Sequence, residues 1–228
     1  MSFHFEQGEI LLVNKPYRWT SFDAVNSLRS MIRSKMGIKK LKVGHAGTLD
    51  PLATGLLIIC TGKFTKRIEE FQSLEKEYTG TFTLGATTPS FDLETEIIDH
   101  ASLEKVNDIT LKAAVNKLSG SYEQLPPQFS AKKIEGKRAY DYARKKVDVA
   151  IKPRLIHVPV FEITAERLPE VDFRIVCSKG TYIRAMARDL GESLSCGAFL
   201  SALCRTRIGP YHLRDAWEIE NFKNELIQ

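Results

Sequence analysis

Gly44-His45-Ala46-Gly47-Thr48-Leu49-Asp50-Pro51-Leu52-Ala53-Thr54-Gly55 places three glycines, one imidazole and one carboxylate in a turn-rich segment. It runs straight into Leu56-Leu57-Ile58-Ile59, whose apolar continuity predicts a buried strand. Leucine before Asp50 and proline after it restrain the backbone there. That construction suits a carboxylate aimed at one atom better than one that only solubilises a surface. An aspartate before proline is also an ordinary turn residue, and His45 beside a glycine can simply cap a loop. The segment has neither a GKS/GKT ending nor a GxGxxG pattern, so it does not read as a phosphate cradle.

Upstream, Ile10-Leu11-Leu12-Val13-Asn14 reads as a strand ended by Lys15-Pro16. Thr20 with Asp23 three residues on predicts a capped helix whose apolar stripe is Phe22, Val25, Leu28 and Ile32, ending near Gly37. Downstream, a helix is expected over Thr65–Leu74, a strand over Tyr78–Gly85 and a short helix over Thr110–Leu118, closed by Gly120. Tyr122–Val149 is poor in aliphatic side chains and rich in basic ones, which predicts an excursion from the core with one helix near Arg138–Lys146. Two β-rich stretches, Leu155–Ala165 and Val171–Cys177, precede a helix over Tyr182–Leu194 with Ile183, Met186, Ala187 and Leu190 on one face. An apolar stretch from Phe199 to Ile208 is broken by Gly209-Pro210, and one last strand or short helix closes the chain. No repeat or long linker interrupts the 228 residues. The expectation is one large α+β domain.

Composition is that of a soluble globular protein, with no apolar run long enough to span a membrane and no signal-peptide pattern at the start, so a cytoplasmic location is expected. Cys60, Cys177, Cys196 and Cys204 form no close CxxC-type pair, which argues against a zinc knuckle or redox couple. The net charge of +5 is segregated. Lys132–Arg154 holds nine Lys or Arg against three acids, and Arg29, Arg33, Lys35, Lys39, Lys40 and Lys42 form a second basic run, whereas Asp92–Asp108 holds six acids and one lysine. Segregation of this kind points to a polyanion-binding side; a solvated helical face is the other reading.

Asp50 is the candidate catalytic carboxylate. A bare carboxyl in a pocket is driven toward its protonated form, and a nearby arginine opposes this. Lys179-Gly180-Thr181-Tyr182-Ile183-Arg184 offers such a residue at a helix entrance, although Tyr182 and Arg184, two apart, diverge on a regular helix. No serine–histidine–acid triad, HExxH or Walker loop competes.

With these residues in view the chain resembles the bacterial tRNA pseudouridine-55 synthase family, TruB. Gly44–Gly55 is close to that family's GHxGTLDPLATG block and continues through Cys60-Thr61-Gly62-Lys63. Lys76-Glu77-Tyr78 with Leu84-Gly85 resembles a second block, and Gln124–Lys133 with Gly136-Lys137 and Tyr140 a third. Cys177–Arg184 and Arg205–Tyr211 resemble the fourth and fifth. The resemblance implies a pseudouridine-synthase fold: a mixed, largely antiparallel sheet flanked by helices, with an RNA-gripping insertion that would fall at about 122–150. It implies Asp50 as catalytic aspartate, Arg184 as its salt-bridge partner, Tyr78 stacked on the target base and Tyr182 across the pocket. His45 with Gly47 would support the extruded nucleotide, Leu203 would line the pocket, and Lys132, Lys133 and Arg144 would contact RNA. Cys204 stands where a second arginine is common, and Ala46 where threonine is frequent. The 18 residues after Pro210 are too few for the PUA-type domain many members carry, so one catalytic domain over 1–228 is expected.

The implied reaction is isomerisation of one uridine in the tRNA T-loop, at position 55, without metal or cofactor, by a monomer needing no protein partner. The aspartate either adds to the base at C6 or assists at ribose C1′. A synthase acting on another RNA, and a tRNA folding factor without relevant catalysis, are the alternatives.

Overall fold

The computed structural model describes residues 3–128, 133–134, 137–138 and 152–226. They divide into two compact units, Met1–Thr79 with Leu203–Gln228, and Gly80–Ala202. The main sheet is nine-stranded and mixed, with strand order β11 (Val160–Arg167), β12 (Glu170–Cys177), β4 (Lys76–Leu84), β13 (Ala198–Ile208), β3 (Thr54–Thr61), β1 (Ile10–Lys15), β15 (Trp217–Glu218); β14 (Tyr211–His212) pairs with β13 and β2 (Val43–His45) with β3. Among its pairs, β1–β3, β2–β3, β11–β12 and β13–β14 are antiparallel, and β1–β15 and β3–β13 parallel.

The first unit opens with β1 (Ile10–Lys15), whose alternation puts Leu11, Val13 and Lys15 on its buried face. Thr20 caps α1 (Ser21–Met36). Its hydroxyl accepts the Asp23 N–H at 3.1 Å and the Asp23 carboxylate accepts the Thr20 N–H at 2.8 Å, the reciprocal box that the spacing predicts. Gly37, at φ 64, ends the helix with its N–H bonded to the Arg33 carbonyl. After β2 (Val43–His45) comes β3 (Thr54–Thr61), which is covered on both faces. Leu57 and Ile59 pack with Leu11, Val13, Leu28 and Ile32, while Leu56, Ile58 and Cys60 pack with Phe71 and Ile208. Each such buried aliphatic side chain contributes about 1.5–3 kcal/mol.

Phe22 departs from expectation: it is 60% exposed. Six positions from Leu28, it lies about 120° around the helix from it, and Ala24 takes the buried place. The helix expected over Thr65–Leu74 starts as a 3-10 turn, Gly62–Arg67, and becomes α2 at Ile68–Ser73. β4 (Lys76–Leu84) follows. The unit closes with the last part of β13 (Ala198–Ile208), β14 (Tyr211–His212), β15 (Trp217–Glu218) and α5 (Ile219–Glu225), whose Phe222 is fully buried.

In the second unit β5 (Ala86–Thr87) pairs with β6 (Asp99–His100), and α3 (Asp108–Lys117) is capped by Asn107. The stretch Leu155–Ala165 is two strands. Pro159 interrupts it, so β10 (Arg154–Val158) pairs with β7 (Gly120–Gln124) in a sheet of its own, while β11 (Val160–Arg167) pairs with β12 (Glu170–Cys177). The basic excursion therefore begins later than Tyr122, because Tyr122–Gln124 belong to β7 and Gln124 is fully buried. Within it β8 (Lys133–Ile134) pairs with β9 (Lys137–Arg138); the helix expected near Arg138–Lys146 falls past Arg138 outside the described residues. Phe82 stacks on Phe173 at 4.1 Å in the core, and α4 (Ile183–Ser193) buries Ile183, Met186, Ala187 and Leu190. No helix among the described residues is long and apolar enough to cross a membrane.

Candidate active site

In the first unit the Asp50 loop is fixed from several sides. Ser21 Oγ accepts the Leu49 N–H at 2.8 Å and donates to the Leu49 carbonyl at 3.2 Å, which ties the loop to the start of α1. The Ala53 N–H bonds the Asp50 carbonyl at 3.1 Å, and the Arg18 N–H bonds the Pro51 carbonyl at 2.8 Å. Asp50 itself is half-buried.

Two buried cations that sequence reasoning did not assign brace this loop. Lys15 has no solvent exposure; its ammonium donates to the carbonyls of Trp19, Pro16 at 3.0 Å and Pro51 at 3.3 Å. Burial lowers its pKa from the ordinary 10.5 to about 8, against an opposing pull from the Asp50 carboxylate. Arg205, 1% exposed, donates from Nε to the Leu56 carbonyl at 2.8 Å and from Nη2 to the Gly47 carbonyl at 3.1 Å. It reaches both ends of the loop. The β3–β13 approach that carries it is so close that a Cβ on Gly55, at φ 103, would lie 2.4 Å from the Arg205 carbonyl oxygen. Lys15 was legible as the next buried-face position after Leu11 and Val13. Arg205 carried only a motif match.

His45 ends β2, and its Nδ1 has no hydrogen-bond partner among the described residues. Burial, aided by the Arg205 charge, lowers its pKa below the usual 6.5, so the ring is neutral near pH 7. It can support a nucleotide by contact or hydrogen bonding, not as a cation. Gly47 adopts φ 97 as its carbonyl meets Arg205. Tyr78 is a buried residue of β4, 9% exposed. Leu203, on β13, is half-buried, and its carbonyl accepts the Thr54 hydroxyl at 3.4 Å.

Tyr182 and Arg184 belong to the second unit. Tyr182 is the N-cap of α4 with extended backbone, φ −105 and ψ 111, so the divergence expected of two regular helical positions does not apply. The Gln124 side chain grips it twice: Oε1 accepts the Tyr182 N–H at 2.9 Å and Nε2 donates to the Tyr182 carbonyl at 3.1 Å. Arg184, 5% exposed, donates to the Ser90 carbonyl at 3.1 Å and lies 3.4 Å from the carboxylate of Asp92.

Asp92 is the residue that sequence reasoning noticed without giving it a role. It is 3% exposed, accepts the Ser90 hydroxyl at 2.6 Å and the Glu94 N–H at 3.0 Å, and so sits in a tight turn shaped to face an arginine. Beside it Phe91 takes φ 59, its carbonyl accepts the Leu200 N–H at 2.9 Å, and Arg188 lies 5.4 Å over its ring. Of the basic residues proposed for RNA contact, Lys133 lies in β8; Lys132 and Arg144 fall outside the described residues.

Among the described residues no cluster of three or more His, Cys, Asp or Glu side chains could hold a metal. The four cysteines are free thiols; burial pushes Cys60 up to about 11 and raises Cys196 as well.

The mixed sheet with its flanking helices is the pseudouridine-synthase fold. One solved chain in a Cbf5-Nop10-Gar1 complex has a TM-score of 0.71 and 24% identity over 97% of this chain, which spans 55% of that one, a likeness of fold. The model of the TruB family pseudouridylate synthase (N terminal domain) matches residues 33–183, and that of the tRNA pseudouridylate synthase B C-terminal domain matches 184–228. The chain belongs to the TruB family. It is 54% identical over 225 residues to a tRNA pseudouridine synthase B from Phocaeicola vulgatus, covering 99% of this chain and 96% of that protein. A tRNA pseudouridine synthase B from Flavobacterium johnsoniae is 51% identical, over 96% of each.

Proposed function

We propose that this chain converts one uridine of the tRNA T-loop, at position 55, to pseudouridine, with Asp50 as the catalytic carboxylate. The observation that carries the reading is the Asp50 loop itself. It is a half-buried carboxylate on a backbone locked by Ser21, Lys15 and Arg205, in a chain of this family. Catalytic side chains held by buried supports keep their aim through the reaction.

The reaction breaks the N1–C1′ bond, turns the uracil and joins C5 to C1′; the proton on C5 leaves and N1 gains one, so atoms balance without redox change. Asp50 acts either by adding to C6 or at the ribose C1′ side. The family resemblance assigns Arg184 as the cation that accompanies this carboxylate. Tyr78 offers a ring face on which detached uracil can turn, because stacking tolerates in-plane rotation. By the same resemblance Tyr182 and Leu203 are base-contacting residues, and neutral His45 with Gly47 supports the nucleotide. The base must first leave its stack, which costs a few kcal/mol that backbone contacts offset.

The test is release of tritium from C5-labelled uridine in a T-arm hairpin, beside an Asp50→Asn control. One equivalent released by the native chain, and none by the variant with RNA binding retained, is the expected result. Binding without release would favour the folding-factor reading, and release only from other RNAs would move the substrate.

A further inference from the structure

The first unit carries a surface that the Asp50 site does not use. From Ala24 to Leu49 the sequence contains no acidic residue, yet it holds Arg29, Arg33, Lys35, Lys39, Lys40 and Lys42. None of these six makes an ion pair among the described residues, whose ion pairs all lie elsewhere. Ser30, Arg33, Ser34 and Gly37, spaced i, i+3, i+4 and i+7, share the face of α1 opposite its buried stripe. With Ile38 and Lys39 they line an open groove of about 430 Å³.

The groove is built for an acceptor-rich ligand. Its edge offers two exposed serine hydroxyls and a guanidinium whose Nε is already committed to the Ile38 carbonyl at 3.3 Å. Both Nη groups of Arg33 then remain for a partner, in the fork geometry that suits phosphate. Arg29 is likewise held, by Asn26 at 3.0 Å and the Val43 carbonyl at 3.1 Å. Cations in the last turn of a helix complement its dipole, which accounts for Arg33 and Lys35. It does not account for Lys39, Lys40 and Lys42, which follow the Gly37 cap. Six like charges without counter-charges repel one another, and a polyanion relieves that repulsion.

We propose that this face, the C-terminal half of α1 with the Lys39–Lys42 lead into β2, binds the phosphodiester backbone of the RNA stem flanking the target loop. The inference rests on the proposed RNA-modifying role and adds where the substrate is gripped. Chain reach sets the scale. Lys42 is three residues from His45 and Lys39 six, so their backbones lie at most about 10 and 20 Å from it. Phosphates of the same arm are therefore the ones within range.

The experiment compares the native chain with a triple variant, Arg33→Gln, Lys39→Gln and Lys40→Gln, and with its charge-keeping counterpart Arg33→Lys, Lys39→Arg and Lys40→Arg. Binding of a labelled T-arm hairpin and of whole tRNA is followed by anisotropy across a salt series, alongside C5 tritium release at saturating RNA. The glutamine variant is expected to bind both RNAs about tenfold or more weakly at 150 mM salt. Its slope of log K against log salt should fall by about two to three, roughly one per lost phosphate contact. Turnover at saturation should stay at the native level, and the charge-keeping variant should bind like the native chain. Unchanged affinity and slope overturn the proposal, as does a loss seen only with whole tRNA, which would put the contact outside the arm. If the charge-keeping variant binds as weakly as the glutamine one, the effect is structural and the proposal also fails. Absence of tritium release by the native chain overturns the proposed reaction instead, and leaves the salt slopes to decide the surface.

Discussion

The second unit and the α1–β2 face of the first treat the same residue types in opposite ways. In the second unit arginines meet acids: Arg167 with Asp172 at 2.6 Å, Arg174 with Glu162 at 3.0 Å, Arg184 with Asp92 at 3.4 Å and Arg188 with Asp189 at 2.6 Å. On the α1–β2 face six cations meet none among the described residues. An arginine paired with an acid presents a reduced field to solvent. An unpaired cluster keeps its field for a partner in solution. Net charge alone, +5 for the chain, conceals this division.

The sharpest break of the comparison is Arg184→Gln. It removes the guanidinium that lies 3.4 Å from the buried Asp92 carboxylate, and loss of one partner of a buried pair typically destabilises by about 3–5 kcal/mol. The denaturation midpoint should fall accordingly, whereas the triple glutamine variant of the α1 face should melt like the native chain. A midpoint that does not move would show that Asp92 finds another partner.

Lys15 is a third kind of cation, buried yet met by carbonyl groups rather than by a hydrogen-bonded acid. Folded, it loses its proton near pH 8; unfolded, it keeps it to 10.5. Between those values the unfolded chain binds more protons, so stability rises with pH through this window, by up to about 1.4 kcal/mol per pH unit from this group. Below pH 8 both states hold the proton and the dependence vanishes. In Lys15→Met that rise should be missing when the two stability curves are subtracted. A parallel pair of curves would mean the ammonium stays charged in the fold.

The smallest effect belongs to exposed pairs. Glu162→Gln should alter stability by no more than about 1 kcal/mol, because solvent screens the Arg174–Glu162 pair, whose side chains are 35% and 54% exposed. A larger loss would show that these charges act as more than surface decoration.

Much of this organisation was legible from residue spacing. The Thr20–Asp23 box and Gly37 cap fixed both ends of α1, and the glycine-rich block identified the Asp50 loop before its supports were visible. Other features depend on partners distant in sequence. Phe22 looked apolar enough for the core but lay on the wrong side of the helix, and Leu155–Ala165 looked continuous until Pro159 divided it between two sheets. Arg205 could not be assigned from its neighbours, since its role is defined by carbonyls of Gly47 and Leu56, about 150 positions earlier. Asp92 was visible in an acidic stretch, but its burial against Arg184 was not.

Gln124 grips the N–H and the C=O of Tyr182 at once, as the backbone of a neighbouring strand would. One side chain thus stands in for a single rung of sheet, and it keeps Tyr182 extended at the very residue where α4 begins. The backbone at Tyr182 is therefore held by a residue 58 positions upstream. A search for what positions Tyr182 that inspects only its neighbours in sequence will pass over this glutamine.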